Sequence, residues 1–267
     1  MESTLDGMYF INNAASAKLV YESVSDGVKI KVLEDENYRW LQLGNNTIHS
    51  AMKLSETWRT ALPYYPALLS VLLFKKNPEN ILLMGLGGGE LVRNLAHNIP
   101  DANLTALEKS TKMIEVFQTW FNPNQEQLSI VNTDVCHWRD ASNREYDIVF
   151  LDVYGDMALP ECMYAEDLYS HIYRQLSETG VLAANLAVKD EQEAVSLMIY
   201  IRKVFKQHTL CLAVEGHLNL IVLAFKVMPT DFDRVSLQRV AESVYVKAGF
   251  DAEVIIDNII NHNQGLI

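Results

Sequence analysis

The sequence is poor in cysteine and in positive charge and has no long apolar run, and each shortage excludes a class of protein. Three widely spaced cysteines without a C-x-x-C pair predict neither a disulfide scaffold nor a zinc module, and a reducing cytosol fits them best. Only 22 lysines and arginines stand against 34 acidic residues, and this net charge of -12 argues against a nucleic-acid partner. Residues 61–74 are apolar but contain two prolines and are shorter than the ~20 residues of a membrane span.

Two further absences concern targeting and metal binding. The first residues have no basic segment followed by an apolar one, so no secretory signal is expected. No cluster of ligand residues is visible, so no metal is predicted. The run at residues 61–74 is instead predicted to contain a buried helix that begins near Pro66.

Length and composition indicate a globular protein with a sizeable core. The chain has 267 residues, of which 49% are hydrophobic and 21% are charged. Short strand-like segments at residues 19–24, 28–33 and 40–43 are separated by turn residues and predict a small antiparallel sheet. We therefore predict a small β domain over residues 1–54 and a second domain over residues 55–267.

Beyond residue 80 the pattern changes to alternating strands and helices. Apolar runs typical of strands buried on both faces occur at residues 81–84, 104–107, 128–131, 147–151 and 181–185. Helical patterns lie between them, at residues 91–98, 111–121, 166–177 and 191–205. This alternation predicts an α/β fold with a doubly wound parallel sheet. Residues 209–214 and 218–226 predict a closing antiparallel hairpin, and residues 231–261 predict one or two terminal helices.

The first predicted strand is followed by the glycine-rich turn Gly85-Leu86-Gly87-Gly88-Gly89. In open α/β sheets ligands bind beyond the carboxyl ends of the strands, and glycines there let a ligand approach the backbone closely. A merely tight turn is the alternative. Glu90 stands where a dinucleotide fingerprint has glycine, and a carboxylate there would repel a pyrophosphate, so NAD and FAD rank second.

Acidic side chains follow the next three predicted strands. Glu108 can accept hydrogen bonds from both ribose hydroxyls of a nucleoside, although pairing with a nearby lysine is the alternative. Asp134 can accept from an adenine amino group or can cap the following turn. Asp152 follows the fourth strand and faces either the reaction centre or a structural loop. Together these residues predict a nucleoside site with no need for phosphate recognition, and S-adenosylmethionine is such a ligand.

Three segments resemble motifs of the spermidine/spermine synthase family of polyamine aminopropyltransferases, which has methyltransferase-like relatives. Residues 81–89 resemble its glycine motif, residues 106–109 its ribose-binding motif, and residues 150–155 with Pro160 the loop of its catalytic aspartate. The similarity runs from about residue 21 to residue 225. It implies a Rossmann-like sheet of the class I methyltransferase type behind a small N-terminal sheet, a homodimer, and nucleoside contacts for Glu108 and Asp134.

The predicted site follows from these motifs. The candidate cofactor-binding residues are Gly85, Gly87, Gly88, Gly89, Glu108, Lys109, Asp134, Val135 and Asp152. Asp152 is also the candidate catalytic residue. The candidate substrate contacts are Tyr64, Tyr154 and Asp156, and Tyr164 is a further candidate for an aromatic wall beside the acceptor. His49 could face the cleft but is expected to be structural, as are His217, Cys136, His137 and Trp138.

Departures from the family motifs bear on the substrate. The synthases have an acidic residue at the position of Gly88, where it holds the amine of decarboxylated S-adenosylmethionine. Such an acid would repel the carboxylate of ordinary S-adenosylmethionine, so its loss favours the undecarboxylated cofactor. Gly155 replaces an aspartate of the catalytic loop, with Asp156 one place later, and Leu62-Pro63-Tyr64-Tyr65 replaces a Tyr-His-Glu element.

These observations predict a cytoplasmic S-adenosylmethionine-dependent transferase, built on the spermidine-synthase scaffold and acting as a methyltransferase on a small-molecule or basic acceptor. Displacement at a sulfonium carbon needs mainly positioning, with a carboxylate where the nucleophile must lose a proton. Aminopropyl transfer from decarboxylated S-adenosylmethionine to a polyamine is the first alternative. A non-catalytic nucleoside-binding protein is the second.

Overall fold

The computed structural model describes residues 7–44, 47–139, 145–154, 159–230, 233–248 and 251–263, without the side chains of residues 243–248. Its first sheet has four antiparallel strands paired in chain order. A short helix precedes it, and the elements are α1 (Gly7–Asn13), β1 (Lys18–Ser25), β2 (Val28–Glu34), β3 (Tyr38–Leu43) and β4 (Thr47–Lys53). The sequence pattern misses β4, because the buried Ser50 interrupts its apolar residues. The domain division after residue 54 stays a prediction.

The second sheet has seven strands and confirms the predicted α/β class. Its strands are β5 (Asn80–Met84), β6 (Asn103–Glu108), β7 (Ser129–Asn132), β8 (Tyr146–Leu151), β9 (Leu176–Ala187), β10 (Thr209–Ala213) and β11 (Asn219–Phe225). They lie in the order β10-β11-β9-β8-β5-β6-β7. The five strands from β9 to β7 are parallel, whereas β11 is antiparallel to both of its neighbours. The closing hairpin predicted from the sequence is therefore present.

Helices connect these strands and cover the sheet. They are α2 (Tyr65–Leu68), α3 (Glu90–Asn98), α4 (Thr111–Val116), α5 (Glu166–Gln175), α6 (Glu191–Val204), α7 (Arg234–Ala248) and α8 (Ala252–His262). The helix expected from Pro66 is only the single turn α2, followed by the buried 3₁₀ helix Leu69–Leu73. The helix expected over residues 111–121 divides into α4 and the π-helical turn Phe117–Phe121. Among the described helices, none is both long enough and apolar enough to span a membrane.

Alternate residues of the central strands enter two different hydrophobic cores. Along β5, Ile81 and Leu83 join a core that includes Trp40 of the N-terminal sheet, while Leu82 and Met84 join the core on the opposite face. Burial on both faces explains why these strands appear in the sequence as continuous apolar runs. The N-terminal sheet therefore shares a core with one face of the large sheet.

Two buried side chains at the start of α3, Glu90 and Arg93, connect the two sheets through backbone groups. The Glu90 carboxylate accepts hydrogen bonds from the backbone N–H of Ala51 in β4 at 2.6 Å and of Ala61 at 2.8 Å. One turn later, the buried Arg93 guanidinium donates to the carbonyl oxygens of Ala51, Thr57 and the glycine turn. Burial raises the pKa of Glu90 to about 7, although these N–H donors and the Arg93 charge oppose the rise.

The position of Glu90 differs from the one expected from the sequence. Glu90 turns towards β4 and does not line the cavity described below. A carboxylate in this orientation would not meet a pyrophosphate in that cavity, so the residue itself is not the reason to disfavour a dinucleotide. Glu90 has a structural role, because backbone N–H donors of the N-terminal sheet and of the following segment converge on its carboxylate oxygens.

We predict that Glu90→Gln lowers the free energy of unfolding by about 1–3 kcal/mol, because an amide N–H₂ would face backbone N–H donors that need an acceptor. Urea denaturation of the two proteins measures this difference. Exposed Glu178 supplies the control, because Glu178→Gln should change stability by less than about 0.5 kcal/mol. Equal stability of Glu90→Gln and the parent chain would contradict the assignment.

Candidate active site

A cavity of about 470 Å³ lies between the carboxyl edge of the seven-stranded sheet and the N-terminal sheet. Its floor comes from the turns after β5, β6, β7 and β8. Its opposite wall comes from β4 and the turn between β1 and β2, including Asp26 and His49. The position agrees with the rule that open α/β sheets bind ligands beyond their carboxyl ends.

Most of the predicted site residues line this cavity. They are Gly85, Gly87, Glu108, Lys109, Asp134, Val135, Asp152, Tyr64 and Tyr154. Gly88 and Gly89 are not part of the lining, and Asp156 lies outside the described residues. The ligand roles of all these residues stay predictions.

The glycine turn has conformations and contacts that only glycine tolerates. Gly85 has φ 101°, and a Cβ there would lie 2.2 Å from the backbone oxygen of Asp152. Gly87 and Gly89 have φ 52° and 70°, in the left-handed region. Gly88 differs, because a Cβ there would lie 2.6 Å from both the Cβ and the Oγ of Ser50 in β4. The turn is therefore packed against the N-terminal sheet at Gly88 and open to the cavity at Gly85 and Gly87.

Backbone donors hold Glu108 at the floor of the cavity. Its carboxylate accepts from the N–H of Ser110 at 2.9 Å and of Leu86 at 3.4 Å. Partial burial raises its pKa, and these hydrogen bonds oppose the rise. Lys112, one suggested lysine partner, pairs instead with Glu115. Each carboxylate oxygen keeps a lone pair that a ribose hydroxyl can use.

Asp134 caps the turn that follows β7 and also lies at the cavity, while its contact with adenine stays a prediction. Its Oδ1 accepts from the N–H of Cys136 at 2.8 Å, which caps the turn after β7, and the residue also lines the cavity. The next residue, Val135, is 7% exposed and offers an apolar surface beside that carboxylate. An acidic acceptor next to an apolar surface suits the amino edge and the face of a purine.

A disulfide between Cys136 and Cys162 joins two loops at this edge. Cys136 lies in the turn after β7, and Cys162 lies in the 3₁₀ helix Glu161–Tyr164, just after the cavity residue Pro160. The expectation that the cysteines form no disulfide is therefore wrong, because cysteines separated by 26 positions meet only when the two strand ends are brought together. Cys211 is free and partly buried.

Asp152 lies at the centre of a hydrogen-bonded group. Its Oδ2 accepts from the Tyr64 hydroxyl at 3.2 Å, and its Oδ1 accepts from Nδ2 of Asn185 at 2.9 Å. Oδ1 of Asn185 in turn accepts from Nδ2 of Asn219 at 2.9 Å. Burial raises the pKa of Asp152. Burial and the nearby Asp152 raise the pKa of Tyr64 well above its ordinary value, so this phenol stays a donor.

The sequence pattern does not indicate Asn185 and Asn219, and it favours a structural role for His49 and His217, although all four line the cavity. Because β11 runs antiparallel to β9, its first residue and the turn before it return to the carboxyl edge. This topology, read from the predicted hairpin, could have placed His217 and Asn219 in the site. His49 lies on the unpredicted strand β4, with its ring centre 5.7 Å from that of Tyr154. Tyr164 does not line the cavity and donates its hydroxyl to Glu193 of α6.

Comparisons with known proteins agree with this architecture. Residues 81–180 match the family described as "Methyltransferase domain". The chain is 26% identical over 238 residues to the polyamine aminopropyltransferase of Chromobacterium violaceum, covering 88% of this chain and 91% of that one. A probable spermidine synthase from Corynebacterium glutamicum superposes with a TM-score of 0.71 at 17% identity, over 85% of this chain and 87% of that chain. Human methyltransferase-like protein 13 in complex with SAH superposes with a TM-score of 0.59 at 22% identity, over 70% of this chain and 90% of that chain.

The fold is therefore that of the class I methyltransferases and spermidine synthases. More particularly, the chain is similar over most of its length to a polyamine aminopropyltransferase, so the resemblance inferred from its motifs is confirmed. The match to the bacterial relative covers 88% of the chain, so it reaches into the N-terminal sheet.

We predict that Glu108→Gln and Asp134→Asn each weaken the binding of S-adenosylhomocysteine by about tenfold or more, because each removes a charged hydrogen-bond acceptor. Calorimetric titration measures the two Kd values. Glu115→Gln on the exposed face of α4 is the matched control and should leave the Kd unchanged. Unchanged binding in both site variants would contradict the nucleoside assignment.

We also predict that reducing the Cys136–Cys162 disulfide lowers the free energy of unfolding by about 3 kcal/mol, because an unfolded chain without the crosslink gains conformational entropy. Urea denaturation with and without dithiothreitol measures the change. The double variant Cys136→Ala/Cys162→Ala should not respond to the reductant, whereas Cys211→Ala should respond as the parent chain does. A response in the double variant would assign the effect to another group.

Proposed function

We propose that this chain transfers a methyl group from S-adenosylmethionine to a nucleophilic acceptor. The observation that carries the proposal is the convergence of the glycine turn, Glu108, Asp134 and Asp152 on one cavity. Three of these elements suit a nucleoside without phosphates, and the fourth places a carboxylate in the same cavity. The similarity to a transferase over most of the chain supports the same class of reaction.

When bound, the donor supplies an electrophilic carbon on a sulfonium. The Glu108 carboxylate would hold the ribose hydroxyls, and Asp134 would accept from the adenine amino group. The lone pair of the acceptor would form a bond to the methyl carbon, and the electron pair of the carbon–sulfur bond would return to sulfur. Asp152 would accept the proton that the acceptor loses. Tyr64 and Asn185 donate to Asp152 and hold it in place for this step.

The packing around Gly88 supports the choice of the undecarboxylated donor. The family resemblance assigns an acidic residue at this position to the amine of decarboxylated S-adenosylmethionine. Here the space that its Cβ would occupy is filled by Ser50, whose Oγ bonds to Glu90. An acid at residue 88 would therefore require β4 to move as well. Gly88 in the turn and Ser50 on β4 therefore fit each other.

Aminopropyl transfer to a polyamine is the second candidate. It is favoured by the similarity to the Chromobacterium violaceum polyamine aminopropyltransferase, which reaches into both sheets. In that reaction Asp152 would again accept the proton of the attacking amine, and the nucleoside product would be methylthioadenosine. A homodimer and a small-molecule or basic acceptor are further proposals, and the resemblance supports them. The cytoplasmic location expected from the cysteines also stays a proposal, and the Cys136–Cys162 disulfide argues against it because disulfides are typical of oxidising compartments.

The test compares the binding of S-adenosylmethionine and its decarboxylated form by calorimetry. We expect the parent chain to bind the intact donor at least tenfold more tightly, and product analysis with candidate amines to give S-adenosylhomocysteine. The double variant Gly88→Asp/Ser50→Gly, which restores the acid and makes room for it, should shift this ratio towards the decarboxylated donor by about tenfold or more. Ser50→Gly alone is its control.

Each other outcome selects a different function. Tighter binding of the decarboxylated donor by the parent chain, with methylthioadenosine as the product, would replace methyl transfer by aminopropyl transfer. Tight donor binding without any turnover would indicate a nucleoside-binding protein. Binding of neither donor would overturn the proposal.

A further inference from the structure

A chain of amide side chains extends from Asp152 into the antiparallel edge of the large sheet. Asn219 donates to Asn185 at 2.9 Å, and Asn185 donates to Asp152 at 2.9 Å. We propose that Asn219 is a positioning residue that orients the Asn185 amide and thereby keeps Asp152 an ionised, correctly aimed base. The inference rests on the proposed transferase function for its catalytic meaning, but the structural device can be tested without turnover.

The hydrogen bonds that link Asn219, Asn185 and Asp152 have a fixed direction. An asparagine side chain has one end that only donates and one end that only accepts. Because Asn219 donates to the oxygen of Asn185, the Asn185 N–H₂ must point at Asp152. An N–H₂ group stabilises a carboxylate, whereas it cannot accept a hydrogen bond from a protonated acid. Without Asn219, the Asn185 amide could turn over and present its oxygen to Asp152.

The register of the strands fixes this arrangement. Asn185 in β9 lies opposite Ile221 in β11, so Asn219 is its diagonal neighbour, two residues away. Asn185 is only 6% exposed, and Asn219 is the side chain that donates to its oxygen at the cavity edge. Asn219 itself is half-buried at the cavity wall. The antiparallel reversal of β11 therefore brings a second amide to the edge where the parallel strands end.

The other groups around Asp152 define what this amide must balance. Tyr64 and Tyr65 face it from the start of α2, and His49, Tyr154 and His217 line the same cavity from β4, the loop after β8 and the hairpin turn. Burial raises the pKa of Asp152, and the hydrogen bonds from Asn185 and the tyrosines oppose the rise. The two phenols are neutral donors. The Asn185 amide can present either its N–H₂ or its oxygen to Asp152, and the hydrogen bond from Asn219 decides which of the two it presents.

The test measures the pKa of the Asp152 carboxyl directly, by ¹³C NMR of protein labelled at aspartate carboxyl carbons. The signal is assigned by its loss in Asp152→Asn. Leucine is similar in size to asparagine but has no hydrogen-bond donor. We therefore expect Asn219→Leu to raise the pKa of Asp152 by about 1 unit or more. Asn219→Asp should also raise it, because a carboxylate would attract the Asn185 N–H₂ and turn its oxygen towards Asp152. Asn219→Gln, which keeps a donor, should restore most of the parent value.

Turnover provides the second readout. If the base is Asp152, the rate falls as pH drops through its pKa, so Asn219→Leu should move the acid limb of the kcat profile to higher pH. Its rate should recover towards the parent rate in alkaline buffer. Glu215→Gln in the exposed hairpin turn is the control and should leave the acid limb in place.

The outcomes separate this inference from the proposed function. An unchanged Asp152 pKa in Asn219→Leu, with the variant folded, would overturn the positioning role. A loss of rate that is equal at all pH values, without a shift of the limb, would also overturn it. A shifted pKa in a chain that transfers no group would retain the positioning role and remove the transferase function.

Discussion

The pair formed by Glu90 and Arg93 is the constraint on which the rest of the structure depends. Both side chains are buried, so they must be satisfied by partners inside the protein. Those partners are backbone groups of β4, of the segment up to Leu62 and of the glycine turn. One turn of α3 thereby sets the position of the N-terminal sheet relative to the large sheet. The cavity lies between the two sheets that this attachment joins.

The chemistry of the cavity follows from strand direction. Parallel strands deliver their carboxyl ends to one edge, which brings Glu108, Asp134 and Asp152 together although they are far apart in sequence. The antiparallel strand β11 adds its opposite end to the same edge and contributes Asn219. A site built in this way has acids from the parallel strands and orienting amides from the antiparallel border of the sheet.

The sequence was most informative where a residue's surroundings depend on its own element. Continuous apolar runs mark β5 and β8 because both faces of these strands are buried, and the ends of these runs locate the glycine turn after β5 and Asp152 after β8. It was least informative where the partner lies on another element. The polar Ser50 in β4, the target of Glu90 and the Cys136–Cys162 pair are each explained only by a contact between segments. Local periodicity contains no signal for such contacts.

Ser50 takes part both in the attachment of the two sheets and in the proposed donor selectivity. Its hydroxyl bonds to Glu90 within the attachment, and its Cβ fills the space beside Gly88 where an acidic side chain would have to begin. An acid at residue 88 would thus displace a residue that helps to hold the two sheets together. Evolution from an acid-containing turn to this one, or the reverse, requires a change in β4 as well as in the turn. The selectivity of such a site therefore depends on packing behind the glycine turn as much as on the residues that face the ligand.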